Sequence, residues 1–303
     1  MRSAFLIGLF CCAALAVGGC FETTQVLTLN PDGSGKMQMD TYIKAPPMMM
    51  GGDEKPDAKK IAKNMAQQMV SGANGMEAWS DLSYEAAKDG RTHIQGTAYF
   101  KDYTKLKMKQ GGGMDFTWAK DPKGSMALEI KMADKDEPEP AGKPQLTDKE
   151  LQELIQAKRQ EYQQMKPMMT MILGTMKMDM TFMLPGKLSE VNVFQKTEKG
   201  GVRLVFEGKK MLEVMDKIMA DDKLLADTIK AGKDPIKGGP DPDKIIELMF
   251  GKKGPIRAKV TGELKPLFDY KAEAAKAKKA MPEMLKKLGI EAPKTETEPL
   301  TAE

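Results

Sequence analysis

Apolar and polar residues alternate along several short stretches of the chain, and turn residues separate these stretches in pairs. The first pair spans residues 21–43 and flanks the turn sequence Asn30-Pro31-Asp32-Gly33-Ser34-Gly35. A period of two places alternate side chains on one face of a strand, so this pattern predicts a β-hairpin. The same alternation predicts further hairpins around Asp89-Gly90, Asp121-Pro122-Lys123-Gly124 and Lys199-Gly200-Gly201. The strands of the last hairpin are predicted over 191–196 and 202–206. Single strands are predicted over 176–184 and 256–261.

Apolar residues at helical spacing predict helices between these hairpins. One helix starts near Asp57 and ends at Gly72; Thr147 and Glu150 form a capping-box pattern that opens another, which Pro167 is expected to end or kink. Further helices are predicted over 209–220, 221–231, a segment from Asp241-Pro242 to 250, and 267–288 with a candidate break at Pro282. Hairpins with inserted helices indicate an α+β fold with antiparallel sheets.

Composition divides the chain into five segments. Residues 1–19 read as a signal peptide, 20–133 as an N-terminal hairpin-rich α+β region, and 134–146 as a charged, proline-rich linker or loop. Residues 147–289 form a C-terminal α+β region, and 290–303 a polar tail that we expect to be disordered. Whether the two α+β regions form one domain or two stays open.

The N-terminus has the pattern of an export signal. Arg2 precedes an apolar run over 4–17, and small residues Gly18 and Gly19 precede Cys20. The run is shorter than the roughly 20 residues that a membrane-spanning helix needs, and typical of a secretory signal core.

Val17-Gly18-Gly19-Cys20 resembles the lipobox of bacterial lipoproteins. The resemblance implies that the Cys20 thiol is alkylated with diacylglycerol and that the mature chain starts at this residue. Acyl chains on Cys20 would hold the protein on a membrane, outside the cytoplasm. Phe21, in place of the Asp that favours inner-membrane retention in enterobacteria, resembles the outer-membrane class, on either the periplasmic or the surface face. The alternatives are an ordinary signal peptide and a retained membrane anchor.

Cysteine use and charge agree with export. The other two cysteines, Cys11 and Cys12, lie in the signal, so the mature chain has no pair for a disulfide. The formal net charge is +4, with lysines interspersed among carboxylates. This excess is a hint of an anionic partner, which for an exported protein is lipid headgroup or polysaccharide and not nucleic acid.

No catalytic motif is present. His93 is the single histidine, and the sequence contains no nucleophile elbow, zinc-protease pair, P-loop or dinucleotide fingerprint. Asp32-Gly33-Ser34-Gly35-Lys36 has some likeness to a phosphate loop, but the strands on either side favour a hairpin turn. We therefore predict a protein that is not an enzyme; a hydrolase with an unrecognised site around His93 is the second alternative.

Methionine is unusually common, at 27 residues. Thioethers can bind Cu(I), and the candidate ligands are Met48-Met49-Met50 and a second group, Met165, Met168, Met169 and Met171. Core packing is the competing explanation, because Met fills irregular gaps and most of these residues fall on apolar faces. For the triplet, an exposed contact surface or a sacrificial oxidant sink competes as well.

The C-terminal helix has an apolar stripe that contains Met281, Met284 and Leu285, with lysines around it. A basic amphipathic helix can lie on a membrane, but such a stripe more often faces its own core. The sequence favours the core.

The layout as a whole resembles poorly characterised bacterial envelope lipoproteins. The residues that carry the resemblance are Cys20, the immediate strand, the Asn30–Gly35 turn and Leu184-Pro185-Gly186-Lys187. It is also similar, more loosely, to LppM-type lipoproteins, a likeness that implies contact with envelope lipids. The sequence thus predicts a non-enzymatic, membrane-anchored interaction or structural module, with a Met-based Cu(I)-binding lipoprotein as the first alternative. Cys20 is the one site residue assigned; no cofactor or resident metal is assigned, and the expected partners are the membrane and an envelope protein, lipid or polysaccharide.

Overall fold

The computed structural model describes residues 21–44, 58–108, 114–121, 124–132, 146–236, 239 and 241–292. The signal peptide with Cys20, the triplet Met48–Met50, nearly all of the predicted linker and the tail from residue 293 lie outside this part of the chain. The described residues form an α+β fold, as the sequence predicted.

Strands and helices follow in a mixed order. The strands are β1 (Phe21–Leu29), β2 (Gly35–Ile43), β3 (Ala73–Asn74), β4 (Met76–Ala86), β5 (Thr92–Phe100), β6 (Lys107–Met108), β7 (Met114–Lys120), β8 (Met126–Met132), β9 (Lys177–Met183), β10 (Lys187–Asn192), β11 (Gln195–Lys196), β12 (Val202–Glu207) and β13 (Ile256–Thr261). The helices are α1 (Ala58–Gly72), α2 (Asp148–Leu173), α3 (Gly208–Ala220), α4 (Asp222–Lys230), α5 (Pro242–Phe250) and α6 (Tyr270–Leu288).

A seven-stranded sheet has the order β11-β12-β9-β1-β2-β5-β4. Its described neighbours are antiparallel except β1 and β9, which pair in parallel from Glu22–Lys177 to Thr28–Met183. The expectation of purely antiparallel sheets is therefore wrong at this pair. The long connection between the two strands contains α2, and parallel neighbours require a crossover of this kind.

A four-stranded antiparallel sheet has the order β10-β13-β8-β7. It corrects the predicted hairpin of 191–196 with 202–206: only β11 pairs with β12, whereas β10 pairs with β13. The chain changes sheets at Val193 and Phe194. Val193 has a positive φ of 68°, and both side chains are buried. The apolar pair thus anchors a sharp bend where the alternation suggested a continuous strand.

Each of these two sheets combines strands from both predicted regions. β9 and β12 extend the sheet of β1, β2, β4 and β5, while β10 and β13 extend that of β7 and β8. The inward faces of both sheets and the buried faces of α2–α5 share one apolar core. The described parts of 20–133 and 147–289 therefore bury their apolar surfaces against each other.

The helix caps agree with the sequence, but two prolines do not act as expected. Asp241 caps α5 with Pro242 at its first position, and the capping box of α2 is formed. However, α2 continues through Pro167 and α6 through Pro282. Both proline rings are exposed, so each ring avoids the packed core and neighbouring turns hold the helix together.

The start of the predicted tail is ordered. Ile290 is buried in the main core, and Glu291 exchanges two backbone hydrogen bonds with the Gln67 side chain, at 2.6 and 3.1 Å. These contacts fix the end of α6 against α1, so the expected disorder does not begin at residue 290.

Candidate functional site

The predicted lipidation site adjoins one end of the seven-stranded sheet. Cys20 lies outside the described residues, but a peptide bond joins it to Phe21, the first residue of β1. Phe21 pairs with Ile43 of β2, which pairs with Thr92 of β5, which in turn pairs with Ala86 of β4. We call this end of the sheet the anchor end.

A cleft of about 800 Å³ lies at the opposite end of β1. The β1–β2 turn forms one wall, and the segment that leads into α6 forms the other. At 3.3 Å per residue, β1 separates the cleft from the anchor end by roughly 27 Å. We call it the turn cleft; its lining is Asn30, Asp32, Ser34, Glu77, Lys101, Pro266, Phe268, Asp269, Tyr270, Lys271, Ala274, Ala275 and Lys278.

Asn30 joins the two walls of the turn cleft. Its side chain is almost fully buried; Oδ1 accepts from the Leu267 N–H at 2.9 Å, and Nδ2 donates to the Phe268 carbonyl at 3.3 Å and to Ser34 Oγ at 3.2 Å. Its backbone carbonyl accepts from Trp118 Nε1 at 3.0 Å. One residue therefore fastens the turn to the α6 segment and to the four-stranded sheet.

Aromatic and charged side chains shape the far wall. The Tyr270 hydroxyl donates to Glu77 Oε2 at 3.0 Å. Burial, this hydrogen bond and the charges of Glu77 and Asp32 raise the pKa of Tyr270 above its usual value, so the phenol stays protonated. Lys36 Nζ lies 4.4 Å from the centre of the Phe268 ring and 2.8 Å from Glu273 Oε2. Lys36 and Glu273 lie behind Phe268, outside the lining. The lining itself offers a ligand the rings of Phe268 and Tyr270, carboxylates such as Glu77, and the ammonium groups of Lys101, Lys271 and Lys278.

His93 contacts side chains of the two neighbouring strands, as a structural residue of the sheet does. Its ring stacks on Tyr42 with centroids 4.3 Å apart, and its nitrogens lie 3.0 Å from Asp40 Oδ1 and 3.3 Å from Glu85 Oε1. Tyr42 and Glu85 are its direct cross-strand partners. The hydrogen bonds described for His93 both go to carboxylates, so the hydroxyl or thiol contact that a nucleophilic mechanism needs is not found there.

The candidate methionines of α2 differ in burial. Met169 is buried and Met165 packs against the core, whereas Met168 and Met171 are exposed. Positions 165, 168 and 169 are neighbours on the helix surface, because residues three and four apart lie side by side. Many strand and helix methionines, such as Met37 and Met180, are core residues, which is the packing role that the sequence favoured. The other candidate group, Met48–Met50, lies outside the described residues.

The apolar stripe of α6 faces the protein. Leu285 is buried, Met281 Sδ accepts from the Trp79 N–H at 3.3 Å, and Met284 packs on the core. No described helix has the length and apolar character needed to cross a membrane. Within the described ranges, no group of three or more His, Cys, Asp or Glu side chains has the arrangement of a metal site.

Comparisons with known proteins give one distant likeness. No protein-family model matches the sequence, and no curated protein matches it. The chain is similar in structure to the folded domain of LppM from Mycobacterium tuberculosis, solved by NMR; the match covers 69% of this chain and 89% of that one, with 10% identity and a TM-score of 0.32. The likeness to LppM-type lipoproteins expected from the sequence thus has a weak structural counterpart, too low to support conclusions about a ligand or an activity.

Sequence reasoning identified the Asn30–Gly35 turn but missed the turn cleft. The turn signal lies in residues 30–35, whereas the residues that complete the cleft, such as Phe268 and Tyr270, come more than 200 positions later. Phe268-Asp269-Tyr270 is a local signal, because two aromatic residues flank a helix cap; nothing nearby in the sequence links it to the turn.

Proposed function

We propose that this protein is a non-enzymatic envelope lipoprotein, held on a membrane by diacylglycerol on Cys20, and that it binds its partner in the turn cleft. Its place is outside the cytoplasm, and Phe21 after the modified cysteine favours the outer membrane. The partner is an envelope protein, lipid or polysaccharide.

The observation that carries the proposal is the course of β1. This strand begins one residue after Cys20 and ends at Leu29, next to Asn30, which holds the turn cleft together. It is paired on both sides, to β2 and β9, so it is a rigid connection. An anchor on Cys20, immediately before the strand, would therefore leave roughly 27 Å of β1 between the membrane attachment and the cleft.

The anchoring is tested by replacing the candidate cysteine. Cys20→Ala is expected to abolish labelling by radioactive fatty acid and, after membranes are washed with high salt, to leave the protein in the soluble periplasmic fraction. The matched control is the double variant Cys11→Ala, Cys12→Ala, which removes the other two cysteines and should still fractionate with washed membranes. Membrane association of the Cys20→Ala protein that survives the high-salt wash would overturn the lipid anchor.

The binding role of the cleft is tested by site-specific photo-crosslinking in the native envelope. A photoreactive amino acid at Lys101 or Lys278, two exposed positions of the cleft, is expected to yield a discrete adduct. The same group at Lys223 or Lys252, which are exposed but do not line the cleft, is the control. Equal adduct patterns at cleft and control positions would contradict the assignment.

A further inference from the structure

We propose that the anchor end carries a basic face that contacts the anionic headgroups of the membrane, so that the protein is held by charge as well as by lipid. The proposal rests on the anchoring proposed above, because Cys20 brings this end of the molecule to the bilayer. It adds a second binding surface, formed by several elements that end at the same level.

The strand register places the first lysines of this face. Ile43 and Phe21 are paired at the end of the sheet, and the exposed Lys44 is the next residue. Ala86 and Thr92 are paired at the same level, and the turn between them exposes Lys88. Both lysines therefore lie beyond the last rung of the ladder, on the side where Cys20 joins.

The β12–α3 junction adds two lysines on the other side of β1. Glu207, the last residue of β12, pairs with Lys177, and Lys177 pairs with Glu22. The Gly208 N–H donates to the Met176 carbonyl at 2.8 Å, which fixes the start of α3 at this level. Lys209 and Lys210 follow in its exposed first turn.

Two helix ends on the β4 side complete the face. The Leu288 carbonyl accepts from the Tyr84 hydroxyl at 2.7 Å, so Lys286 and Lys287 lie one to two rungs from the end of the sheet. Lys63 Nζ lies beside Gly289. The lysines of α1 and α6 are thus neighbours although they are far apart in sequence.

Among the described residues, basic side chains outnumber carboxylates at the anchor end. Arg91 pairs with both Glu22 and Asp89, and Lys287 pairs with Glu283. The other described carboxylates at this level are Glu85, Glu207 and Glu291. The lysines of the face are Lys44, Lys63, Lys88, Lys177, Lys209, Lys210, Lys286 and Lys287. Since the whole chain has a formal net charge of +4, this end holds a large share of the positive excess.

Charge complementarity selects an anionic lipid surface as the occupant. A lysine within a Debye length of such a surface strengthens binding about fivefold, and the effect falls as salt screens it. One lipid chain alone gives marginal binding, and basic residues next to a lipid are a known way to reinforce it. The face is built mostly from exposed lysines near one end of the sheet, which suits a flat, mobile array of phosphates better than a single small ion.

The test uses residues 21–303, a chain without Cys20 that contains every contact described above. Vesicles of equal parts phosphatidylglycerol and phosphatidylcholine are compared with pure phosphatidylcholine by co-sedimentation at low and high salt. We expect binding to the anionic vesicles only, and weaker binding at high salt. The variant Lys44→Gln, Lys88→Gln, Lys209→Gln, Lys286→Gln should bind about 600-fold more weakly.

The control removes the same charge elsewhere. Lys105→Gln, Lys149→Gln, Lys233→Gln, Lys265→Gln replaces exposed lysines remote from the anchor end and should keep most of the binding. Equal loss in both variants, or no loss in the first, would overturn the proposal; thermal melting verifies that both fold. Because this chain cannot be lipidated, the result is independent of the Cys20→Ala fractionation.

Discussion

Removing the Asn30 side chain should destabilise the whole fold, although it lies in a turn. The variant Asn30→Ala loses three hydrogen bonds, to Leu267, Phe268 and Ser34. Each contributes about 1 kcal/mol net, and the Leu267 N–H and the Phe268 carbonyl both lose their partner on the buried Asn30 side chain. We expect a loss of about 3 kcal/mol in the free energy of unfolding. With a urea m-value of ~3 kcal/mol/M, the unfolding midpoint falls by about 1 M.

The control is a second asparagine with similar bonds in a more exposed place. Asn192 Nδ2 donates to the Lys253 and Pro255 carbonyls, both at 3.0 Å. Asn192→Ala should cost about 1 kcal/mol, because water can replace the lost donor. Urea denaturation followed by tryptophan fluorescence measures both variants. If Asn30→Ala costs no more than Asn192→Ala, the buried network does not hold the cleft walls together.

A near-isosteric change separates hydrogen bonding from packing. Asn30→Asp keeps an oxygen that accepts from the Leu267 N–H. It replaces the amide donor that faces the Phe268 carbonyl with a second carboxyl oxygen. The introduced carboxyl should have a raised pKa in the folded state, since its proton restores a donor. Its stability deficit should therefore be smallest near pH 4 and grow as the pH rises to 7. A deficit that does not depend on pH would refute this reasoning.

Three further variants test other features of the fold. Tyr103 is buried with its hydroxyl unpaired among the described residues, so Tyr103→Phe should be neutral or stabilise by about 1 kcal/mol; a clear loss in urea denaturation would mean that the hydroxyl has a partner. Pro167→Ala restores a backbone donor inside α2 and should stabilise by about 1–3 kcal/mol, whereas a lowered melting temperature would show that the ring is needed. Although burial opposes the effect, hydrogen bonds from Lys166 and Tyr162 lower the pKa of Asp216 below 3.8. The ionised Asp216 carboxylate contributes about 1 kcal/mol or less to the free energy of unfolding, because the group is exposed. This contribution is present at neutral pH and lost as the pH falls through the lowered pKa. Asp216→Asn should thus be less stable than wild type in urea denaturation at pH 7 and equally stable near pH 2.

The features that sequence predicted correctly depend on near neighbours. Asp241 and Pro242 are adjacent, and Thr147 and Glu150 are three residues apart, so each pattern specifies its own cap. The hairpin around Asp89-Gly90 is likewise a local matter of alternation and turn chemistry. These signals do not depend on the rest of the fold.

Pairings between distant segments left no comparable signal. β1 and β9 meet in parallel after a long crossover, and alternation fits either a parallel or an antiparallel neighbour. The contact between Asn30 and Leu267 joins residues 237 positions apart. An asparagine in a turn is expected to form hydrogen bonds within that turn. This expectation accounts for Asn30 from the sequence alone and gives no sign of its contact with Leu267.

The helix breaks expected at Pro167 and Pro282 are absent for a different reason. The rule that proline ends a helix weighs one missing hydrogen bond and one steric clash. In α2, residues on both sides of Pro167 are tied to other elements, since Tyr162 bonds Asp216 of α3 and Met169 is buried in the core. Tertiary contacts thus offset the cost of proline inside the helix. A prediction from neighbouring residues includes this cost but not the contacts that offset it.

The central position of β1 couples the two candidate surfaces. Hydrogen bonds to β2 and β9 hold the strand on both sides, so the anchor end and the turn cleft cannot shift relative to each other without breaking the sheet. Since the strand begins one residue after Cys20, little flexible chain would separate a lipid on Cys20 from the folded protein. A lipid on a long flexible tether does not orient the domain that it anchors. Here a short tether and a basic face would act on one rigid body, and together they would hold the cleft away from the bilayer.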